Sequence, residues 1–328
     1  MQQERKALRV GLTVIAIGLL LRILSSGLLV PLLDFITDPK VASFLIYMET
    51  GRVVRTDTPQ PAPTEPEETE PVIVTVETTP PLTFSPEDAG LVELFRACEL
   101  PVDIQALLQS PLEWDLRSGK PTVLILHTHA TESYTKTTEV YDETYYRTLN
   151  ENFNMVRVGD RVAELLEEAG IRVIHDRALH DHPSYIGSYD NSRVSARHYL
   201  TEFPSISLIL DLHRDAADVN GGQLDTSATV CGQESAQLML VVGTNASGQY
   251  HPNWQQNMAI AEKLHVTLEK QNPGICRPLC FRSQRFNQDL LPGAMLVEVG
   301  AAGNTLPEAL LAAEALAQAI ITLADGTG

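Results

Sequence analysis

Three short motifs place metal-ligating and acid–base side chains directly behind apolar runs: LHTHATES at 126–133, LDLHRD at 210–215 and LVEVG at 296–300. Together they supply His127, His129 and Glu132, then Asp211, His213, Arg214 and Asp215, then Glu298. Two or three imidazoles and a carboxylate, brought from different strands to one sheet edge, are the makings of a catalytic zinc site. Such a site has three protein ligands and a fourth position open for water. The ion brings the pKa of that water to about 7 and polarises the carbonyl it attacks. A separate carboxylate then serves as general base and later protonates the leaving amine. A lone histidine behind a strand is otherwise a satisfied core or surface residue, and His175, His180, His182, His198, His251 and His265 are read that way. His127 and His213 differ because each follows a strongly apolar run at a polar cluster. A buried charged cluster is costly unless metal or partners compensate it. On pattern alone the two histidines are either metal ligands or satisfied core groups, and Glu298, in an apolar strand, is either paired or functional.

The elements that position these residues begin near Lys120. Apolar runs at 122–126, 171–174, 206–210, 237–242 and 294–299 read as buried strands. Helical periodicity covers 155–169, 192–200, 253–271 and 305–324, the first ended by Gly170 and the last capped by Thr305. Continuous apolar strands alternating with helices predict an α/β fold, one layered domain with a central, mostly parallel sheet flanked by helices. Ligands in such sheets gather beyond the carboxyl ends of strands, where the three motifs fall. An eight-fold barrel needs more strand–helix units than follow Lys120. Residues 91–118 read as a weakly helical lead-in.

The front of the chain differs in composition. Residues 10–33 form an apolar run interrupted only by Arg22, long enough to span a bilayer. Arg5, Lys6 and Arg9 precede it, which places the N-terminus in the cytoplasm and the rest outside. From Thr56 to Asp88, proline, threonine and glutamate dominate. Such a segment cannot pack a core and favours extended conformers. The expected organisation is a cytoplasmic tail and transmembrane anchor over 1–35, an extracytoplasmic stalk over 36–89 and a catalytic domain over 90–328. The chain is a single-pass cell-membrane protein on this reading, with the bilayer as a partner. Its 328 residues carry a net charge of -18, which argues against a nucleic-acid-binding protein, although the stalk supplies much of the acidity. Neither a G-x-x-x-x-G-K-[ST] phosphate loop nor a G-x-S-x-G elbow occurs. Four cysteines are too few for a disulfide scaffold. Cys276 and Cys280 are near enough in sequence to pair or to stay free.

The series HTHATESY, VGDRVAELLEEAGIRVIHD, SYDNSR, DLHRD and FNQDLLPGAMLVEVGAAGNTLPEAL, in this order, resembles the stage II sporulation protein P family of endospore-forming bacteria. The likeness runs from about Val123 to the C-terminus and includes the anchor-plus-stalk layout. Its last segment also resembles the end of zinc-dependent N-acetylmuramoyl-L-alanine amidases. The resemblance implies a cell-wall hydrolase that cuts the amide between N-acetylmuramic acid and L-alanine of peptidoglycan, credited also with endopeptidase activity. It implies action in forespore engulfment with stage II sporulation proteins D and M. By position it implies that His127 and His213 hold Zn2+ and that Glu298 is the general base. Glu132 is the third ligand, with His129 as competitor. Arg214 is the residue that stabilises an oxyanion or steers a peptide carboxylate, and Asn287 and Gln288 are substrate contacts or loop-structuring groups. This reading requires the His127 and His213 imidazoles to converge on one ion.

Overall fold

Strands buried on both faces are apolar throughout, and the strongest runs of this sequence fold that way. All four residues of β2 (Val123–Leu126) are buried. A computed structural model describes residues 83–112, 114–135, 146–219 and 222–326. The expected anchor and all but the last residues of the expected stalk lie outside these. In chain order the strands and helices are β1 (Leu94–Arg96), α1 (Ile104–Gln109), β2, α2 (Met155–Glu168), β3 (Val173–His175), α3 (Ser188–Glu202) and β4 (Leu208–Asp215). Next come the short strands β5 (Asp218–Val219), β6 (Gly222–Gln223), β7 (Ala228–Val230) and β8 (Gln233–Ser235). The chain continues through β9 (Leu238–Gly243), α4 (Trp254–Gln271), β10 (Leu279–Arg282), β11 (Ala294–Ala301) and α5 (Leu306–Asp325).

Seven strands form one sheet in the order β1-β10-β9-β11-β4-β2-β3. Every neighbouring pair is parallel except β9 and β11. The α/β architecture with a mostly parallel central sheet, expected from the alternation of runs, is therefore present. The antiparallel junction splits it into two parallel halves that point in opposite directions, so β2, β4 and β11 end at the same edge.

Side chains alternate between faces along a strand, and the two faces are covered unequally. Val123, Ile125, Leu208, Leu210, Leu212, Met295, Val297, Leu238 and Leu240 enter the large core with α1, α2, α4 and α5. Leu124, Leu126, Ile209 and Ala294 meet α3. Met239, Val241, Cys280 and Leu296 share that second face, with only Phe286 packed against them. Among the described residues no helix covers this stretch, and the site opens there.

Capping explains where the helices start. Asn154 accepts the Val156 N–H ahead of α2. Thr305 and Glu308 form a reciprocal capping box at α5, with proline in its first turn. Helix α5 is long and apolar enough to cross a bilayer by length and composition, but half of its most apolar window is buried, and it packs on α2 and α4 as a core helix.

Several elements depart from the sequence reading. The lead-in contains strand β1 as well as the short helix α1. The fold begins before residue 90: Pro86–Leu91 makes a 3-10 turn in which Asp88 accepts from Ser85 N and pairs with Lys270 Nζ at 2.6 Å. Strand β4 runs five residues past the expected end at 210 and takes in the DLHRD motif. All four cysteines are free, Cys280 buried within β10.

Candidate active site

Registry brings two of the three motifs side by side. Strands β4 and β11 are parallel with Glu298 opposite His213, and Glu298 lies opposite Met239 on the other flank. The third motif is the loop after β2. Thr128 anchors it to β4 through its N–H and hydroxyl, 2.8 and 2.6 Å from the Asp211 carboxylate. Thr131 donates to Asp181, which also takes Arg147 at 2.5 Å. The Tyr134 hydroxyl donates to Val299 O at 2.8 Å. These bonds set His129 and Glu132 beside His213 and Glu298 in an open cleft of about 210 Å3.

Inside the cleft the rings of His129 and His213 meet edge to face, 5.2 Å apart. Tyr185 stacks on His129 at 4.4 Å. His213 Nε2 lies 2.9 Å from Asp211 Oδ1, and its Nδ1 lies 3.7 Å from Glu132 Oε2. Among the described residues, His129 Nδ1 and Glu298 Oε2 are buried without a hydrogen-bond partner.

The charges follow from these distances. Burial, reinforced by the carboxylates of Glu132 and Asp215, pushes Glu298 up to about 8. Burial pulls His213 down, but Asp211, then Glu132 and Glu298, overcome it and push the imidazole up to about 10. Burial works against the ionised form of Glu132 as well, yet Arg214, His213, His129 and Arg147 hold it below its usual range. Burial lowers His129. The cleft thus gathers two imidazoles and the carboxyl groups of Glu132, Asp215 and Glu298.

The donor chemistry fits a divalent cation, since imidazole and carboxylate groups suit zinc and an unpartnered buried nitrogen and oxygen face the same cleft. Asp211, clamped by Thr128, holds one side of the His213 ring, as carboxylates orient ligand histidines. Among the described residues no three such groups already stand gathered about one point.

His127 is elsewhere. It continues the Val123–Ile125 side of β2, toward α2, while Asp211, His213 and Glu298 lie on the side facing α3. Its Nδ1 donates to Leu212 O at 3.1 Å, so its Nε2 accepts from His175 Nε2 at 2.9 Å. A Cβ on Gly159 of α2 would stand 2.6 Å from His127 Nε2 and 2.5 Å from His175 Nε2, so only glycine leaves room for the pair. Burial and then His175 lower His127 to about 3, which keeps it neutral. The expected convergence of His127 and His213 is replaced by one of His129 and His213. The reason is that the strand ends at Leu126: His127 still points to the Val123–Ile125 side, whereas the chain turns from Thr128 and carries His129 over to the His213 side.

The comparisons with known proteins bear on these motifs together. A profile of the stage II sporulation protein P (SpoIIP) family matches residues 56–321. The chain belongs to the SpoIIP family. Stage II sporulation protein P of Bacillus subtilis (strain 168) is 32% identical over 210 residues, covering 60% of this chain and 50% of that protein. The chain spans about half the length of the curated relative it matches. Among solved structures, N-acetylmuramoyl-L-alanine amidase from Clostridium difficile 630 is similar over 64% of this chain and 100% of its own, at 17% identity and a TM-score of 0.39. The CwlD amidase from Clostridioides difficile, in complex with the GerS lipoprotein, is similar over 62% and 98%, at 12% identity and a TM-score of 0.39.

In this SpoIIP-family chain the other expected residues separate by role. Glu132, His213 and Glu298 share the cleft. Arg214 borders it, but its Nε donates to Ser133 O at 2.8 Å and its Nη2 to Tyr146 O, so it braces the loop that carries Glu132. Gln288 is 2% exposed and bonds β9 at both ends of its amide, accepting from Gly243 N and donating to Val241 O. Asn287 donates to Tyr189 O and accepts from Arg193. Both amides shape the loop before β11 through bonds within the chain. Asp211, bonded to His213, and Tyr189, lining the cleft, are residues to which the sequence reading gave no role. Asp211 stands two residues before His213 on the same strand, hence on the same face, and that spacing was the available signal.

Proposed function

We propose that this chain is an extracytoplasmic peptidoglycan hydrolase of sporulation, held to the membrane by residues 10–33. Its reaction is hydrolysis of the amide between N-acetylmuramic acid and L-alanine, with Zn2+ as cofactor. The observation that carries the reading is Glu298, a carboxylate unpartnered at Oε2 and set beside His213 in an open cleft. His129, Glu132 and His213 would hold the ion, His129 replacing His127 in the expected set. When bound, the ion supplies Lewis acidity toward a water and toward the scissile carbonyl.

The chain's own groups do the rest. Glu298 as carboxylate takes a proton from the attacking water, and as acid returns it to the departing amine nitrogen. With a pKa of about 8 before any cation is present, both forms lie within reach near neutral pH, and a nearby cation favours the carboxylate. Asp211 fixes the tautomer and direction of His213. Arg214 keeps Glu132 ionised. Tyr185, stacked on His129, shields that imidazole from water. Endopeptidase action on cross-links, engulfment of the forespore, cooperation with stage II sporulation proteins D and M, and the division into anchor (1–35), stalk (36–89) and catalytic part (90–328) belong to the same reading and rest on the sequence resemblance.

The test is release of soluble fragments with new L-alanine N-termini from purified sacculi by the full chain. Zinc-dependent release that chelator stops, and that Glu298→Gln abolishes, is the expected result. Release unaffected by both would remove Glu298 and the ion from the mechanism. No release at all would leave a wall-binding scaffold.

A further inference from the structure

The cleft does not end at Glu298. Strands β11, β9 and β10 continue its floor, and their cleft-side residues are Leu296, Met239, Val241 and, at the far end, Arg282. Arg282 is the last residue of β10 and shares a face with Cys280, which places it on the same side of the sheet as Glu298. The nearby arginines are all paired: Arg277 with Asp215 at 2.7 Å, Arg285 with Asp289, and Arg214 with Glu132. Arg282 is exposed and has no carboxylate partner among the described residues. Arg282 borders the same cleft as Glu298.

Sheet geometry gives the spacing. Arg282 is level with Gly243 on β9, and Glu298 with Met239. Four residues at about 3.3 Å and two strand spacings of about 4.8 Å put the two Cα atoms about 16 Å apart. The arginine side chain shortens this to the length of a few extended peptide residues. The floor between them is apolar. Phe286 forms a wall, packed on that floor and on Tyr189, with Phe286 and Asn287 both at positive φ.

We propose that Arg282 forms an anion subsite that binds a carboxylate of a peptide lying extended across Met239, Val241 and Leu296, on the amine side of the bond cut beside Glu298. The inference rests on the hydrolase reading for its orientation, and its test has a binding readout that does not depend on cutting.

The probe is a fluorescent N-acetylmuramoyl tripeptide whose second and third residues bear free carboxylates, compared with the same compound fully amidated. Binding is measured by anisotropy to the full chain carrying Glu298→Gln, with and without Arg282→Ala or Arg282→Lys. The expected result is about tenfold tighter binding of the acid form, the size of one charge-assisted contact. Arg282→Ala removes that preference while leaving the amidated probe unchanged, and Arg282→Lys keeps part of it. Equal affinity for both probes, no binding of either, or a preference that survives Arg282→Ala overturns the subsite. A chain that shows the preference yet releases nothing from sacculi overturns the hydrolase reading alone. A chain that cuts sacculi without any carboxylate preference overturns the subsite alone.

Discussion

His127 and His129 are separated by one residue, and the two faces of the sheet treat them in opposite ways. On the helix-covered face, both nitrogens of His127 are engaged, by Leu212 O and His175, under a glycine that leaves no spare volume. On the open face, His129 Nδ1 and Glu298 Oε2 are buried with no hydrogen-bond partner among the described residues. A satisfied buried imidazole is structure, because its polar groups return what desolvation costs. An unsatisfied one beside an unsatisfied carboxylate in a cleft is retained for something that arrives later. Histidine count and strand-end position are the same on both faces, and partnership is what separates them.

Loss of chemistry on the open face is the largest expected effect. Glu298→Gln should lower sacculus hydrolysis by about 10²–10⁴, the range for a lost acid–base group. His175→Ala, on the closed face, should leave the rate per folded molecule near that of the parent. Equal losses in both variants would erase the distinction between the faces. Next in size is Gly159→Ala, whose methyl must displace the His127–His175 pair. It should cost about 1–3 kcal/mol in denaturant unfolding and leave the active fraction fully active.

The two faces also predict opposite pH limits for the metal-free chain. Folding lowers His127 to about 3, so the native state binds fewer protons than the unfolded chain below pH 6.5, and its contribution to stability is lost as pH falls from there. Folding raises Glu298 to about 8 and His213 to about 10. Their contributions are present at low pH and are lost as pH rises, from about 4.5 to 8 for Glu298 and from 6.5 to 10 for His213. In thermal melts across pH, His127→Gln should blunt the acid limb and Glu298→Gln the alkaline one. Unchanged limbs in either variant would break the assignment.

Much of this arrangement was legible. The apolar runs of β2, β4, β9 and β11 and the periodicity of α2, α4 and α5 mark their own elements, and Thr305 marks the α5 start. Strands β1 and β10 were not legible, because LFR and LCFR each close on an arginine and lack the unbroken apolar run that marks β2. The motifs HTHATES, LDLHRD and LVEVG identified the sheet edge that carries the cleft, and Glu132, His213 and Glu298 fell within it. The choice between His127 and His129 was not legible, because two features decide it: the register of Leu126 with Asp211, which turns His127 away from His213, and the turn after β2, which brings His129 to it. Asn287 and Gln288 looked like substrate groups because a polar pair before an apolar strand carries no mark of its own partners. Those partners, on β9 and α3, are remote in sequence.

The most direct test of the central claim, that the reactive centre lies on the α3 side of the sheet, is zinc stoichiometry by equilibrium dialysis. It is measured on the folded full chain and on His127→Gln and His129→Gln. One tightly held ion per chain in the parent and in His127→Gln, with none in His129→Gln, is the predicted result. Loss of the ion in His127→Gln with retention in His129→Gln would contradict it.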